Sequence, residues 1–420
     1  DPLDEQGALA PPLYLTSTYT QDSIESFDQI RLGEKQGYVY GRTRNPTQAL
    51  LEERLASLEG AEAGVVTASG MAAISATLFS LLQSGDEIVV DQIVYGTAFT
   101  LFTQGLVRFG VRAVFADFTR PETVAAAIGP KTRAVYFETP ANPNLRLVDI
   151  AAVSAIARRK GLLTIVDNTF ATPVLQRPLE HGADVVLHAA TKFIGGHGTS
   201  IGGIVVDSGR FNWSNGRFPV VAAPSPAYHG LQFHETFGVY GYAMKLRAET
   251  LRDLGACLSP FNAFLFLQGL ETLSIRMDRH VENARTIATY LASHDLVSNI
   301  TWPGLPTSRY RALVDKYLPG GAGAIFSFDI AGGREAGQEF IRGLSLWSHL
   351  ANVGDAKSLV IHPASTTHRQ LSDDELRAAG VGAGTIRLSV GLESPDDLIW
   401  DLDRALARAR AATSREEVAR

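Results

Sequence analysis

A short apolar strand, Asp184 to His188, delivers Lys192 into a loop that holds Gly195, Gly196 and Gly198. A second apolar run, Leu162 to Val166, ends on Asp167. In open α/β sheets, groups at the carboxyl ends of the strands line the ligand crevice. A lysine beside a buried acid is the pair that pyridoxal phosphate (PLP) chemistry requires. The amine forms a Schiff base, and the acid holds the pyridinium proton so that the ring accepts electrons. Each residue also has a plainer reading. Most lysines are surface residues, and an aspartate at a strand end is often a turn residue. Against this, the glycines permit a ligand to approach closely. Ile165, Val166 and Phe170 point to burial of Asp167, where a carboxylate is costly unless a cation faces it.

Three further features gain meaning beside that pair. Ser69-Gly70-Met71 opens an apolar helical stretch, and a small turn at a helix N-terminus presents free N–H groups to a phosphate. Alone it reads as an ordinary N-cap serine. Tyr95 follows another strand end and can stack on a flat ring; a core tyrosine is the alternative. Arg387 is a charge inside an apolar strand and demands an anion, either a substrate carboxylate held bidentately or a structural salt bridge. The ten histidines, including the pairs His229/His234 and His362/His368, show no metal-ligand spacing, so no metal site is expected. A serine hydrolase is poorly supported, because the Gly198-Thr199-Ser200-Ile201-Gly202 run leads into a strand rather than from a strand into a helix, as a nucleophile elbow does.

The elements that must position these groups alternate. Helices are expected over residues 47–58 (capped by Thr47), 71–82, 98–109 and 150–160. Strands are expected over 87–91, 112–117, 133–138, 162–167, 184–188 and 203–207. This alternation argues for an α/β fold with a mostly parallel, doubly wound sheet. Residues 1–45 read as an extended arm packing on a neighbouring subunit, and 208–243 as a long loop or insertion. A long helix is expected over 271–291. A smaller C-terminal α/β unit then has strands over 324–330, 357–361 and 385–391, and helices over 335–344 and from Ser394 onward. The organisation expected is an arm (1–45), a large domain (46–260) and a linking helix with a C-terminal domain (261–420).

The chain has 420 residues, 45% of them hydrophobic and 20% charged, enough to bury a large core. The net charge is −6 with no basic block, which argues against a nucleic-acid partner. The single cysteine, Cys257, excludes an intrachain disulfide and suits a reducing, cytoplasmic compartment. No apolar run approaches the roughly 20 residues needed to span a bilayer, and no signal-peptide pattern opens the chain.

Five motifs, in order, resemble the PLP enzymes of cysteine and methionine metabolism: residues 40–47, Ala68-Ser69-Gly70-Met71, Asp167-Asn168-Thr169-Phe170, Thr191-Lys192 and residues 387–391. That trans-sulfuration family has the aspartate aminotransferase-like fold (PLP fold type I). The resemblance implies that Lys192 holds PLP and shuttles protons. It implies that Ser69, Gly70, Met71 and Thr191 bind the phosphate, that Tyr95 stacks on the ring and acts as an acid or base, and that Asp167 pairs with the ring nitrogen. Tyr40 and Arg42 would reach the phosphate of a neighbouring subunit. Asn142, Ser358 and Arg387 would hold the substrate carboxylate. A homotetramer built from active dimers is implied as well.

Within the family, residues 197–203, 228–230 and 352–358 are most similar to the O-acetylhomoserine sulfhydrylase group. Residues 40–43 and 137–143 look more like methionine γ-lyase or cystathionine enzymes. Two positions depart from the pattern. Ala189 replaces a serine that would give the phosphate a hydroxyl, and Thr97 replaces a cysteine of methionine γ-lyases. The expected reaction is γ-replacement on an O-acyl-L-homoserine, with sulfide or a small thiol as nucleophile. After Lys192 takes the Cα proton, a second proton leaves Cβ, the γ group departs and the thiolate adds at Cγ. Without a nucleophile, hydrolysis gives 2-oxobutanoate and ammonia. The alternatives are γ-elimination, an unusual nucleophile in a specialised pathway, and a catalytically dead binding protein.

Overall fold

The computed structural model describes residues 7–366, 369 and 381–419, with side chains to residue 412; His368 lies outside them. Its strands are β1 (Ala63–Thr67), β2 (Glu87–Asp91), β3 (Arg112–Ala116), β4 (Thr132–Glu138), β5 (Leu163–Asp167), β6 (Val185–His188) and β7 (Gly203–Asp207). They form one sheet in the order β1-β7-β6-β5-β4-β2-β3. All run parallel except β7, which is antiparallel to both β1 and β6.

These strands are continuous apolar runs because both faces are covered. Val89, Val135, Val166 and Val186 enter one core, while Ile88, Ala134, Ile165 and Val185 enter the other. That is the two-residue alternation of side chains across a strand. The strand order reverses between β2 and β4, the switch point where a crevice opens beyond the carboxyl ends.

The second sheet contains β8 (Val297–Ile300), β9 (Ile325–Ile330), β10 (Ser348–His349), β11 (Leu359–Ile361) and β12 (Thr385–Ser389), in the order β10-β11-β12-β9-β8. The helix Pro395–Ala419 covers it with Leu398, Leu402 and Leu406, all fully buried. One apolar cluster runs from Leu51 in the first unit to Ala409 in the last, beneath both sheets. Among the described residues, no helix is long and apolar enough to cross a membrane.

Most expected elements occur within two residues of their limits, and four expectations are corrected. The helix Pro46–Glu59 is capped by Asn45, whose Oδ1 accepts the Thr47 N–H at 2.9 Å. Thr47 instead ties down the arm: its hydroxyl accepts the Tyr14 N–H and donates to the Pro12 carbonyl, both at 3.0 Å. The arm itself contains a helix, Ile24–Leu32, capped by Ser23. Residues 96–109 form three unlike turns rather than one regular helix. There the hydroxyls of Thr100 and Thr103 bond the carbonyls four residues back, which competes with a regular ladder. Finally, residues 208–243 are no open loop. Short helices there pack around Trp213, which stacks on Tyr242 at 5.0 Å with Phe218 edge-on.

Candidate active site

Lys192 is fixed from several sides. After β6 the Ala189 N–H bonds the Thr169 hydroxyl at 2.8 Å. Thr191 and Gly202 then bond each other three times: the threonine hydroxyl donates to the carbonyl and accepts from the N–H, and the Thr191 N–H donates to the same carbonyl. Beyond the lysine, Arg276 donates to the carbonyls of Phe193 (2.7 Å), Ile194 (3.3 Å) and Gly269 (2.7 Å), and to the Thr272 hydroxyl (3.1 Å). The guanidinium lies so close that a Cβ on Gly196, at φ +71°, would come within 2.2 Å of it. Lys192 Nζ donates to Asn352 Oδ1 across the cleft. Burial, and then the charge of Arg387, hold the Lys192 pKa below its ordinary value. Both effects favour the neutral, nucleophilic amine.

Two acids close the floor. Asp167 ends β5 and Glu138 ends β4, paired in register, so both side chains leave the same face. Asp167 Oδ1 accepts the Thr169 N–H at 3.0 Å, but burial still pushes its pKa up. Among the described residues no ion pair neutralises it, and a ring cation in the cleft would. Glu138 was not among the residues expected from sequence. Its signal is the one that marks Asp167: an acid ending an apolar run.

At one rim, Ser69 caps the helix Gly70–Leu81 by accepting the Ala72 N–H at 3.0 Å. This sets the N–H groups and positive dipole of that helix toward the cleft. A Cβ at Gly70 would meet that of Ala189 at 2.6 Å, so the seat requires glycine there. At the opposite rim, Arg387 stands on β12 and donates to Asn142 Oδ1 at 3.2 Å. Burial lowers its pKa to about 10, so it keeps its charge at neutral pH. No carboxylate pairs with it among the described residues, which disfavours the structural salt bridge. Tyr95 lies between the rims, half-exposed.

The structure thus gathers Ser69, Gly70, Met71, Tyr95, Asn142, Asp167, Thr191, Lys192 and Arg387 around one cavity of about 300 Å³, and adds Glu138 and Asn352. Nothing in the local sequence around Asn352 signals its reach to Lys192. Ser358 is not brought in. It is fully buried, its hydroxyl donates to Glu393 at 2.8 Å and accepts the Gly391 N–H at 2.8 Å. Tyr40 and Arg42 lie on the arm, the guanidinium 5.0 Å above the tyrosine ring, and line a separate cleft.

The residues present fit PLP: an amine of lowered pKa, an acid awaiting a cation, and a glycine-requiring helix N-terminus. Comparisons with known proteins agree. The chain is 46% identical over 406 residues to an O-acetyl-L-homoserine sulfhydrylase of Leptospira meyeri, covering 94% of this chain and 92% of that one. It is 43% identical over 408 residues to an L-methionine gamma-lyase of Pseudomonas deceptionensis, covering 96% and 94%. A Campylobacter jejuni structure, described as an O-acetylhomoserine (thiol)-lyase containing N'-pyridoxyl-lysine-5'-monophosphate, superposes with a TM-score of 0.93 at 37% identity, over 97% of each chain. The family model for Cys/Met metabolism PLP-dependent enzymes matches residues 1–407. The chain is a member of that family, an enzyme that works with pyridoxal phosphate.

Proposed function

We propose that the protein catalyses γ-replacement on an O-acyl-L-homoserine, with sulfide or a small thiol as nucleophile. The observation that carries this reading is Arg387: a partly buried guanidinium with no carboxylate partner among the described residues, lining the cleft that holds Lys192 and Asp167. It suits the α-carboxylate of an amino acid, with Asn142 beside it. Bound at Lys192, PLP supplies the electron sink for charge leaving Cα.

The chain's own residues do the rest. Lys192 Nζ moves the Cα proton, and its lowered pKa suits a base working near neutral pH. Asn352 holds the lysine amine whenever it is free. Asp167 keeps a positive nitrogen opposite it charged. Ser69, Gly70, Met71 and Thr191 seat the phosphate, and Tyr95 covers the ring. We place Tyr40 and Arg42 at the phosphate of a neighbouring subunit, in a homotetramer of paired dimers. A cytoplasmic location belongs to the same reading and is supported by the lone cysteine.

The 43% identity to a methionine gamma-lyase keeps γ-elimination as the second reading. Incubation with O-acetyl-L-homoserine, with and without sulfide, separates the two. Homocysteine and acetate formed only when sulfide is present are the expected products. If 2-oxobutanoate and ammonia form in both tubes without homocysteine, the protein is a lyase.

A further inference from the structure

Glu138 carries a buried carboxyl group, 5% exposed, at the strand switch point of the sheet. Its Oε1 accepts the Tyr95 N–H at 2.6 Å, and its Oε2 accepts the Asn142 N–H at 3.2 Å. Tyr95 starts the segment after β2, and Asn142 lies in the segment after β4. These two strands are neighbours, and the crevice opens between the loops that follow them. Asn142 in turn receives Arg387 from the second sheet. One carboxyl group thereby joins the tyrosine beside the cofactor seat to the arginine that we assign to the substrate.

Its surroundings make a purely stabilising role a poor explanation. No cation pairs with it among the described residues. Repulsion from Asp167 and Asp91 adds to burial in raising its pKa well above the ordinary range. A buried acid in such company costs stability, and such cost concentrates where function demands it.

We propose that Glu138 is a positioning residue. Each oxygen accepts one backbone N–H, and the pair clamps the Tyr95 loop to the Asn142 loop, so that Asn142 and Arg387 meet the substrate carboxylate in register. This inference rests on the functional reading above. The requirement for an acid follows from the geometry. Both N–H groups are donors, and only a carboxyl presents an acceptor to each. A glutamine has the same size and one oxygen. That oxygen keeps the shorter bond, to Tyr95, and the amide NH₂ then faces the Asn142 N–H, donor against donor.

The test compares wild type, Glu138→Gln and Glu138→Ala as PLP-loaded full chains. L-Homoserine, which keeps its hydroxyl, serves as a binding probe followed by the visible absorbance of the cofactor. PLP affinity of the stripped proteins, Tm and steady-state kinetics are measured alongside. Glu138→Gln is expected to keep PLP affinity and Tm, or to gain Tm, while homoserine affinity falls roughly 5- to 100-fold, the range of an unpaired buried donor. KM for O-acetylhomoserine should rise in parallel, with a smaller change in kcat. Glu138→Ala should lose at least as much homoserine affinity.

Unchanged homoserine affinity in both variants overturns the clamp. So does a loss that merely tracks falling Tm and PLP occupancy. A wild type that binds homoserine yet leaves the acetyl ester intact sinks the functional reading alone. One that binds PLP and no amino acid overturns both.

Discussion

At the residue scale, the cleft depends on a few groups whose chemistry is legible and on contacts that are not. Ala189 is the sharpest case. Its methyl packs against Gly70 at the phosphate seat, where the family pattern has a serine. A hydroxyl there would add one donor beside the Ser69–Met71 turn. Ala189→Ser is therefore expected to tighten PLP binding by roughly 10- to 150-fold, the worth of about one hydrogen bond to a charged group. Absorbance titration of the stripped protein measures this, and an unchanged dissociation constant would show that the hydroxyl points elsewhere. Lys192, Asp167 and Arg387 were legible because each is a charge in an apolar run. Asn352 was not: it is a neutral side chain 160 residues from the lysine it holds. Ser358 misled because a motif position does not reveal that Glu393 takes its hydroxyl.

At the element scale, β6 and β7 carry a stress far from the cleft. Asp207 ends β7, is 2% exposed, and has its pKa pushed up to about 7 by burial, with Asp184 and Glu62 adding to it. The unfolded chain releases this proton near pH 4, whereas the folded one keeps it to about pH 7. Stability from this group is therefore whole below about pH 4, declines as pH rises from 4 to 7, and is level above. Asp207→Asn retains an oxygen for the Gly209 N–H. Its stability advantage over wild type should grow by about 2–3 kcal/mol between pH 5 and pH 8. Thermal melts at both values test this, and a constant gap would refute it.

Six of the seven strands of the large sheet were readable from their apolar runs, and most helices because caps and stripes mark them. The helix Ile24–Leu32 was missed because its face is polar, with only Ser26 buried. Residues 208–243 were missed because their order comes from aromatic packing across the chain, not from any period. β1 was missed although Val65, Val66 and Thr67 are β-branched, because the run is only five residues long and opens on Ala63 and Gly64, which favour no strand.

At the scale of the whole molecule, the proposal that Tyr40 and Arg42 serve a neighbouring subunit's phosphate can be tested with mixed subunits. Mixing Lys192→Ala subunits, which have sound arms, with Arg42→Ala subunits, which have a sound lysine, should restore activity that neither has alone. Random pairing gives about a quarter of the wild-type rate, because half the dimers are hybrids and each hybrid has one complete site. A mixture that stays as inactive as its parts would place Arg42 outside any shared site. The single apolar cluster from Leu51 to Ala409 has a further effect. Severing the chain near residue 260 would strip water-averse surface such as Leu273, Met277 and Phe326 of its cover. Such halves made separately would clump, while the intact polypeptide should melt in one cooperative step.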